Sequence, residues 1–290
     1  MYGIERMGSW FRRKCLARFA PGLIRPFRLP YEVLLEIVTL GRGLPRLVND
    51  DLEIRVCPAH RSVGGEYEVA LYNQMKSSLK EGDIVLDVGA HVGIFSVMLA
   101  RCVGMTGKVF AFEPSPASQK LFRRHMRLNE VDRQVELIPA AVGNRSGHAI
   151  LHAWGSHVGN TLAARDPIAG GTGYKEVSVQ VLTLDQFCKD RGILPKWVKV
   201  DTEGWELRVL QGAKLLLGQG EAVNFAVEMH PYAWLGAGYN RLEFETFCKD
   251  FGIRVKPLTE QADPFEEYGN TIFEIKSAHN PQQTQVPDLR

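Results

Sequence analysis

Long apolar runs are missing from this 290-residue chain: none reaches the roughly 18–20 residues that a bilayer-crossing helix needs. An excess of one charge is missing too. Lys+Arg total 35 against 33 Asp+Glu, a formal net charge of +2, so no broad basic footprint for DNA or RNA is present and no nucleic-acid partner is expected. Cysteine is scarce and unpatterned. Cys15, Cys57, Cys102, Cys188 and Cys248 are odd in number, lie far apart and show neither CxxC nor Cys/His ligand spacing, which argues against a disulfide framework or zinc site and favours a reducing compartment. The opening MYGIERMGSWFRRKCLARF carries charges where a secretion signal needs its apolar stretch, so the expected location is the cytoplasm. Repeats and low-complexity tracts are absent ahead of the polar tail 278–290, which is expected to fray.

What is present is enough for one substantial core, at 45% hydrophobic residues. Near the N-terminus, Arg12, Arg13, Lys14, Arg18, Arg25 and Arg28 interleave with Trp10, Phe11, Leu16 and Phe19. Such a pattern suits a membrane surface, a transit peptide or a helical cap with solvated arginines. The cap is the expectation for 1–78, because Pro21, Pro26 and Pro30 are expected to stop any long helix.

From residue 83 onward, short apolar runs alternate with helical patterns. Strands are expected at 83–88, 108–112, 135–142, 197–200, 222–228, 253–256 and 271–275, with helices at 93–102, 115–129, 205–217 and 241–251. Between 143 and 182 the helical period disappears. GHAILHAW and KEVSVQVL read there as an inserted β-hairpin around a Gly-rich loop. The alternation implies an α/β doubly wound, mostly parallel, seven-stranded sheet over 79–277, with chemistry outside the carboxyl ends of the strands.

The informative stretch is VLDVGAHVGIFS, 85–96, a buried strand running into a glycine turn and a helix. Gly89 permits a tight turn and Gly93 close helix packing. The spacing is GxxxG, and the tight GxGxxG of dinucleotide binders is absent, so the turn suits a nucleoside without a diphosphate. Glu113 closes the next strand in VFAFEP, ahead of Pro114 and twenty residues past Gly93, where a carboxylate can accept from both ribose hydroxyls. Asp87 is placed to orient the turn or meet the amino-acid end of a cofactor.

Three further stretches carry a family resemblance: DVGAHVG at 87–93, LTLDQF at 182–187 and VKVDTEGWELRVLQGA at 198–213. Together they resemble the FkbM family of class I, Rossmann-like methyltransferases, whose pattern is matched at Lys199, Asp201, Glu203, Gly204, Glu206, Val209, Leu210, Gly212 and Ala213. AVEMHP, 226–231, is similar to the family's strand ending in a Glu near a His, and the likeness spans about 80–276. One departure is His91 where the family commonly has Asn; it reads either as a titratable imidazole that would make cofactor binding pH-dependent or as a packed or solvent-facing residue at the helix start. The resemblance implies transfer of a methyl group from S-adenosylmethionine to a hydroxyl of a small molecule or carbohydrate, with Asp87, Gly89, His91, Gly93, Glu113, Pro114 and Asp201 at the cofactor.

A hydroxyl is a poor nucleophile and needs a base or a metal ion to shed its proton. His230 and Asp201 are joint candidates for that base, with Glu203 and Glu228 orienting them or the substrate. Alternatively, three of the carboxylates hold Mg²⁺, which takes hard oxygen ligands. Glu206 reads as an ordinary helix-surface charge, and Lys199, inside an apolar strand, as paired or reaching the sheet edge. His157, Asn160, Trp154, Trp205, Tyr232 and Trp234 are candidates to cover or stack on the acceptor. Three competing readings are a nucleic-acid methyltransferase, disfavoured by DTEG where an Asn/Asp-Pro-Pro-aromatic loop is expected, a nicotinamide oxidoreductase, and a non-catalytic cofactor-binding subunit. The residues fix neither the acceptor's identity nor an oligomeric state.

Overall fold

The computed structural model describes residues 25–153, 155, 160–162 and 175–275, with side chains from residue 31 onward. The basic stretch through Phe19, Trp154, His157 and the tail 278–290 lie outside those residues. Residues 79–275 hold a seven-stranded sheet built from β3 (Ile84–Val88), β4 (Lys108–Phe112), β5 (Val135–Ile138), β9 (Trp197–Val200), β10 (Asn224–Met229), β11 (Ile253–Pro257) and β12 (Gly269–Ile275). Their spatial order is β11-β12-β10-β9-β3-β4-β5, and β12 alone runs antiparallel to its neighbours. Successive residues of β3 face opposite layers. Val85 packs with Val109, Trp197 and Ala226 on one side, and Leu86 and Val88 pack with Phe110, Phe112 and Val200 on the other. Both faces are therefore dry, as a parallel sheet requires.

Helices α3 (Ile94–Val103), α4 (Pro116–Leu128), α5 (Leu184–Arg191) and α8 (Arg241–Asp250) flank the sheet. α4 starts as its residues direct: the Ser115 hydroxyl accepts from the Ser118 N–H and Pro116 takes the first helical position. The order reverses between β3 and β9, each of which begins a separate winding outward. That switch point opens a crevice at the carboxyl ends of the strands.

Several expected elements differ. The segment 135–142 is two strands, since Pro139 has no N–H to extend the ladder. β5 stays in the main sheet and β6 (Ala141–Val142) joins β7 (Gly147–Ala153) and β8 (Lys175–Leu182) in a separate three-stranded sheet. The expected hairpin is the antiparallel β7–β8 pair of that sheet. The expected helix 205–217 is α6 (Glu206–Gln211) and α7 (Lys214–Leu217). They part at Gly212, whose backbone lies so close to the Gly143 carbonyl that a Cβ there would stand 2.1 Å from its oxygen.

The N-terminal region holds more than helix. The prolines do not stop α1 (Arg25–Val38): Pro26 falls in the first turn, where its missing N–H has no partner to lose, and Pro30 forfeits one bond. After α1 come a hairpin, β1 (Leu44–Val48) with β2 (Leu52–Val56), and α2 (Val69–Lys76). The hairpin is fastened to α4. The Cys57 N–H donates to His125 Nε2 (3.0 Å), His125 Nδ1 donates to the Val92 carbonyl (2.7 Å), and the Asn129 amide pairs with both backbone groups of Arg55 (2.8 Å each). Burial lowers the His125 pKa to about 4, so the ring serves as a neutral tie. Among the described residues, no helix is long and apolar enough to cross a membrane.

Candidate active site at the carboxyl ends of the strands

β3 ends at Asp87 and Val88 and the chain turns at Gly89, with φ of 84°. The N–H groups of Gly89 and Ala90 both donate to the Phe112 carbonyl (3.0 Å each), and the Asp201 N–H donates to Val88 (3.0 Å). Three strand ends are thereby knit into one floor. Gly89 fits so closely that a Cβ would stand 1.7 Å from the Asp201 carbonyl oxygen. His91 follows in the left-handed region, φ 50°, which Asn and His tolerate better than most side chains; this is what the two residue types have in common at that position. Gly93 caps α3.

Left-handed His91 aims its N–H at Glu113 Oε2 (2.8 Å), while Glu113 Oε1 accepts from the Ser115 N–H (2.7 Å). Burial pushes the Glu113 carboxyl up to about 8, opposed by those two N–H donors. In the ionised form each oxygen keeps a second lone pair, so both can accept from a ligand diol. Gln119 Nε2 holds the carbonyls of Glu113 (2.9 Å) and Pro114 (3.2 Å), fixing the end of β4. Asp87 is fully buried. Its Oδ2 accepts from Ser96 Oγ (2.5 Å), whereas Oδ1 has no partner, and burial raises its pKa.

β9 brings Lys199 and Asp201 to the same place. Lys199 is buried in the sheet interior, with Nζ 3.1 Å from Asp201 Oδ2 and 5.3 Å from the centre of the Phe95 ring. Burial works against its charge, but Asp201, Glu68, Asp87 and Glu228 together raise its pKa well above the ordinary lysine value. Burial also opposes the Asp201 charge; Lys199, then His230 and a hydrogen bond from Glu228, hold that carboxyl below its usual value. Glu228, from β10, is pushed up to about 8 by burial and by Asp201, and the Tyr268 hydroxyl donates to it. At neutral pH the pair is an Asp201 carboxylate accepting from a protonated Glu228.

His230 is 1% exposed and is not part of the cleft wall. Its Nδ1 donates to Glu206 Oε1 (3.0 Å) and its Nε2 stands 3.7 Å from Glu203 Oε2. Burial favours the neutral ring, yet the Glu206 hydrogen bond and charge, helped by Asp201 and Glu203, push its pKa up to about 10. That direction favours a proton-donating ring over a base. Asp201, Glu203 and His230 present ligand atoms within 4.8 Å of one another, close enough to share a cation as well as to pair with each other.

Glu206 departs most from its sequence reading. It is fully buried, and its carboxylate accepts from the Gly204 N–H (2.7 Å), His230 Nδ1 (3.0 Å) and Trp234 Nε1 (3.0 Å). Trp234 is accordingly a packed core residue. Tyr232 is 71% exposed with its hydroxyl 3.4 Å from Glu203, and Trp205 and Asn160 line the cleft. Thr161 Oγ1 donates to the Glu203 carbonyl (2.8 Å), tying the inserted sheet to the rim. Sequence reasoning missed Tyr268, Tyr67 and Glu68, which also line the cleft. None lies in a recognisable spacing.

Asp87, the Gly89 turn, Glu113, Lys199, Asp201, Glu203 and Glu228 border one open cleft of about 310 Å³, within the range of small-molecule sites. The Methyltransferase FkbM domain matches residues 87–255. The chain belongs to that family. Relatives include "Methyltransferase 1" of Beauveria bassiana, 30% identical over 148 residues, covering 46% of this chain and 59% of that protein. "Hexuronic acid methyltransferase AglP" of Haloferax volcanii is 30% identical over 178 residues, covering 59% of this chain and 64% of that protein. The chain therefore spans less than two thirds of either relative's length. Among solved structures, the FkbM methyltransferase from Methylobacillus flagellatus aligns at TM-score 0.44 and 14% identity, over 67% of this chain and 43% of that one. The FkbM match spans the glycine turn, Glu113, Asp201, Glu228 and His230, and begins downstream of Tyr67 and Glu68.

Proposed function

We propose that the chain is an S-adenosylmethionine-dependent O-methyltransferase acting on a sugar hydroxyl. The observation that carries this reading is that Asp201, held ionised by Lys199, lines the same cleft as the glycine turn and Glu113. The site fits the cofactor: Glu113 retains acceptors for a ribose diol, the Gly89 turn admits close approach, and Asp87 Oδ1 is an unpaired buried acceptor. Bound S-adenosylmethionine supplies an electrophilic methyl group on a sulfonium. The protein's part is to hold the acceptor oxygen in line, exclude water and receive the proton. The Asp201 carboxylate takes that proton. Glu228 donates to Asp201 and is itself steadied by Tyr268, while the His230 cation, anchored on Glu206, fixes Glu203. The sugar class is supported by the hexuronic acid relative and by the exposed rings of Tyr232 and Tyr268 beside the carboxylates, which offer stacking faces.

Asp201→Asn is expected to keep S-adenosylhomocysteine affinity within a few-fold and to cut turnover on hexuronic acid glycosides by roughly 10²–10⁴. Transfer of labelled methyl and calorimetry measure the two quantities. Wild-type turnover in this variant would remove Asp201 from the chemistry. We assign the Asp201–Glu203–His230 trio to ion pairing in preference to Mg²⁺, so EDTA is expected to leave turnover unchanged. Loss of turnover that Mg²⁺ restores would reverse that assignment.

A further inference from the structure

The cofactor residues considered so far begin at Asp87, yet Tyr67 and Glu68 also form part of the cleft wall. Glu68 is half-buried as a residue because it faces the open cleft. Its Oε2, however, is sealed from solvent and accepts no hydrogen bond. Its backbone, at φ 45° and ψ 43°, occupies the left-handed region, a strained state for a glutamate. The β1–β2 hairpin holds the residue before it. Asn49, in the turn of the β1–β2 hairpin, accepts the Tyr67 N–H on Oδ1 (2.8 Å) and donates Nδ2 to the Tyr67 carbonyl (3.0 Å). The Asn49 N–H in turn donates to the Gly65 carbonyl (2.8 Å), and the Gly65 N–H to that of Leu47 (3.0 Å). An unpaired buried acceptor on a strained residue, beside the doubly clamped Tyr67, costs stability, and such positions persist where a ligand needs them.

The charge around it narrows the ligand. Burial pushes the Glu68 carboxyl up to about 7, with Lys199 lowering it and Asp201 and Asp87 raising it. Lys199 already donates to Asp201, and the other orphan acceptor on the cleft is Asp87 Oδ1. Two unsatisfied carboxyl oxygens on residues lining one cleft call for a compact cation with several N–H donors. A sulfonium bears charge but no N–H, and an adenine amino group is neutral. A primary ammonium has three donors and a full charge.

Resting on the S-adenosylmethionine reading, we propose that Glu68, together with Asp87, binds the α-ammonium of the cofactor's methionine end, so that the hairpin and helix ahead of the family-matched region complete the cofactor site. The test is calorimetric titration of wild type, Glu68→Gln and Glu68→Asp with S-adenosylhomocysteine and with its deaminated analogue, which keeps the carboxylate but lacks the amino group. Wild type is expected to favour S-adenosylhomocysteine by tenfold or more. Glu68→Gln should bind it roughly ten- to a hundredfold more weakly while holding the deaminated analogue as before. Glu68→Asp, which keeps the charge, should recover part of the preference. Unliganded Glu68→Gln should melt no lower than wild type, because it loses an uncompensated acid. Unchanged S-adenosylhomocysteine affinity in Glu68→Gln, or equal weakening of both ligands, would overturn the assignment. Failure of wild type to bind either ligand would overturn the cofactor reading itself, and this assignment with it.

Discussion

Glu206→Ala is expected to lower the folding free energy by about 3–5 kcal/mol, the range for breaking a buried ion pair from one side. The substitution strands three donors in a dry interior: the His230 imidazolium, the Trp234 indole N–H and the Gly204 backbone N–H. A surface charge, as the sequence suggests for Glu206, would change stability by no more than about 0.5 kcal/mol. Urea unfolding at pH 7 separates the two, and a loss under 1 kcal/mol would contradict the anchoring role. The pair also sets a pH dependence. The ring binds its proton more tightly in the folded chain, so its contribution is complete below the ordinary value of 6.5 and drains away as pH rises towards about 10. The wild-type melting temperature should therefore fall across that window, and Glu206→Gln, which keeps the shape and removes the charge, should flatten the slope.

Gly89→Ala is expected to abolish measurable S-adenosylhomocysteine binding and to lower the melting temperature. Two effects coincide at this residue. Its φ of 84° is strained for any side chain, and a Cβ would stand 1.7 Å from the Asp201 carbonyl oxygen, far inside contact distance. The obstacle is backbone, which no rotamer change can relieve. To accommodate the methyl group, β3 and β9 must part at their carboxyl ends, where the turn, Lys199 and Asp201 meet. Calorimetry and thermal unfolding check both effects, and a variant that binds like wild type would show that the strand ends are not held as described.

The elements around the cofactor are legible in the sequence because each strand there is a short apolar run ending at a glycine or an acid. The expected 108–112 and 197–200 coincide with β4 and β9. Legibility fails where tertiary neighbours decide. Pro139 moves the chain from one sheet to another, and Gly212 breaks a helix because the Gly143 carbonyl lies against it. The burial of Glu206 depends on His230 and Trp234, 24 and 28 residues away, which no local period reports. His230 is chemically apt as a base by residue type, but its proton is set by two glutamates that only the fold brings beside it. Glu68 escapes for a different reason. It lies outside the stretches that carry the family resemblance, and its signals, a left-handed backbone and an acceptor left without a donor, exist only in the folded chain.

The central claim, a methyl donor in the cleft at the β3–β9 switch point, is tested most directly by thermal unfolding with S-adenosylhomocysteine, NAD⁺ and NADP⁺ in parallel. Ligand at a hundred times its dissociation constant adds about 2.7 kcal/mol to native stability. The expected result is a clear upward shift with S-adenosylhomocysteine and none with either nicotinamide; a shift with a nicotinamide alone, or with none of the three, would contradict the account.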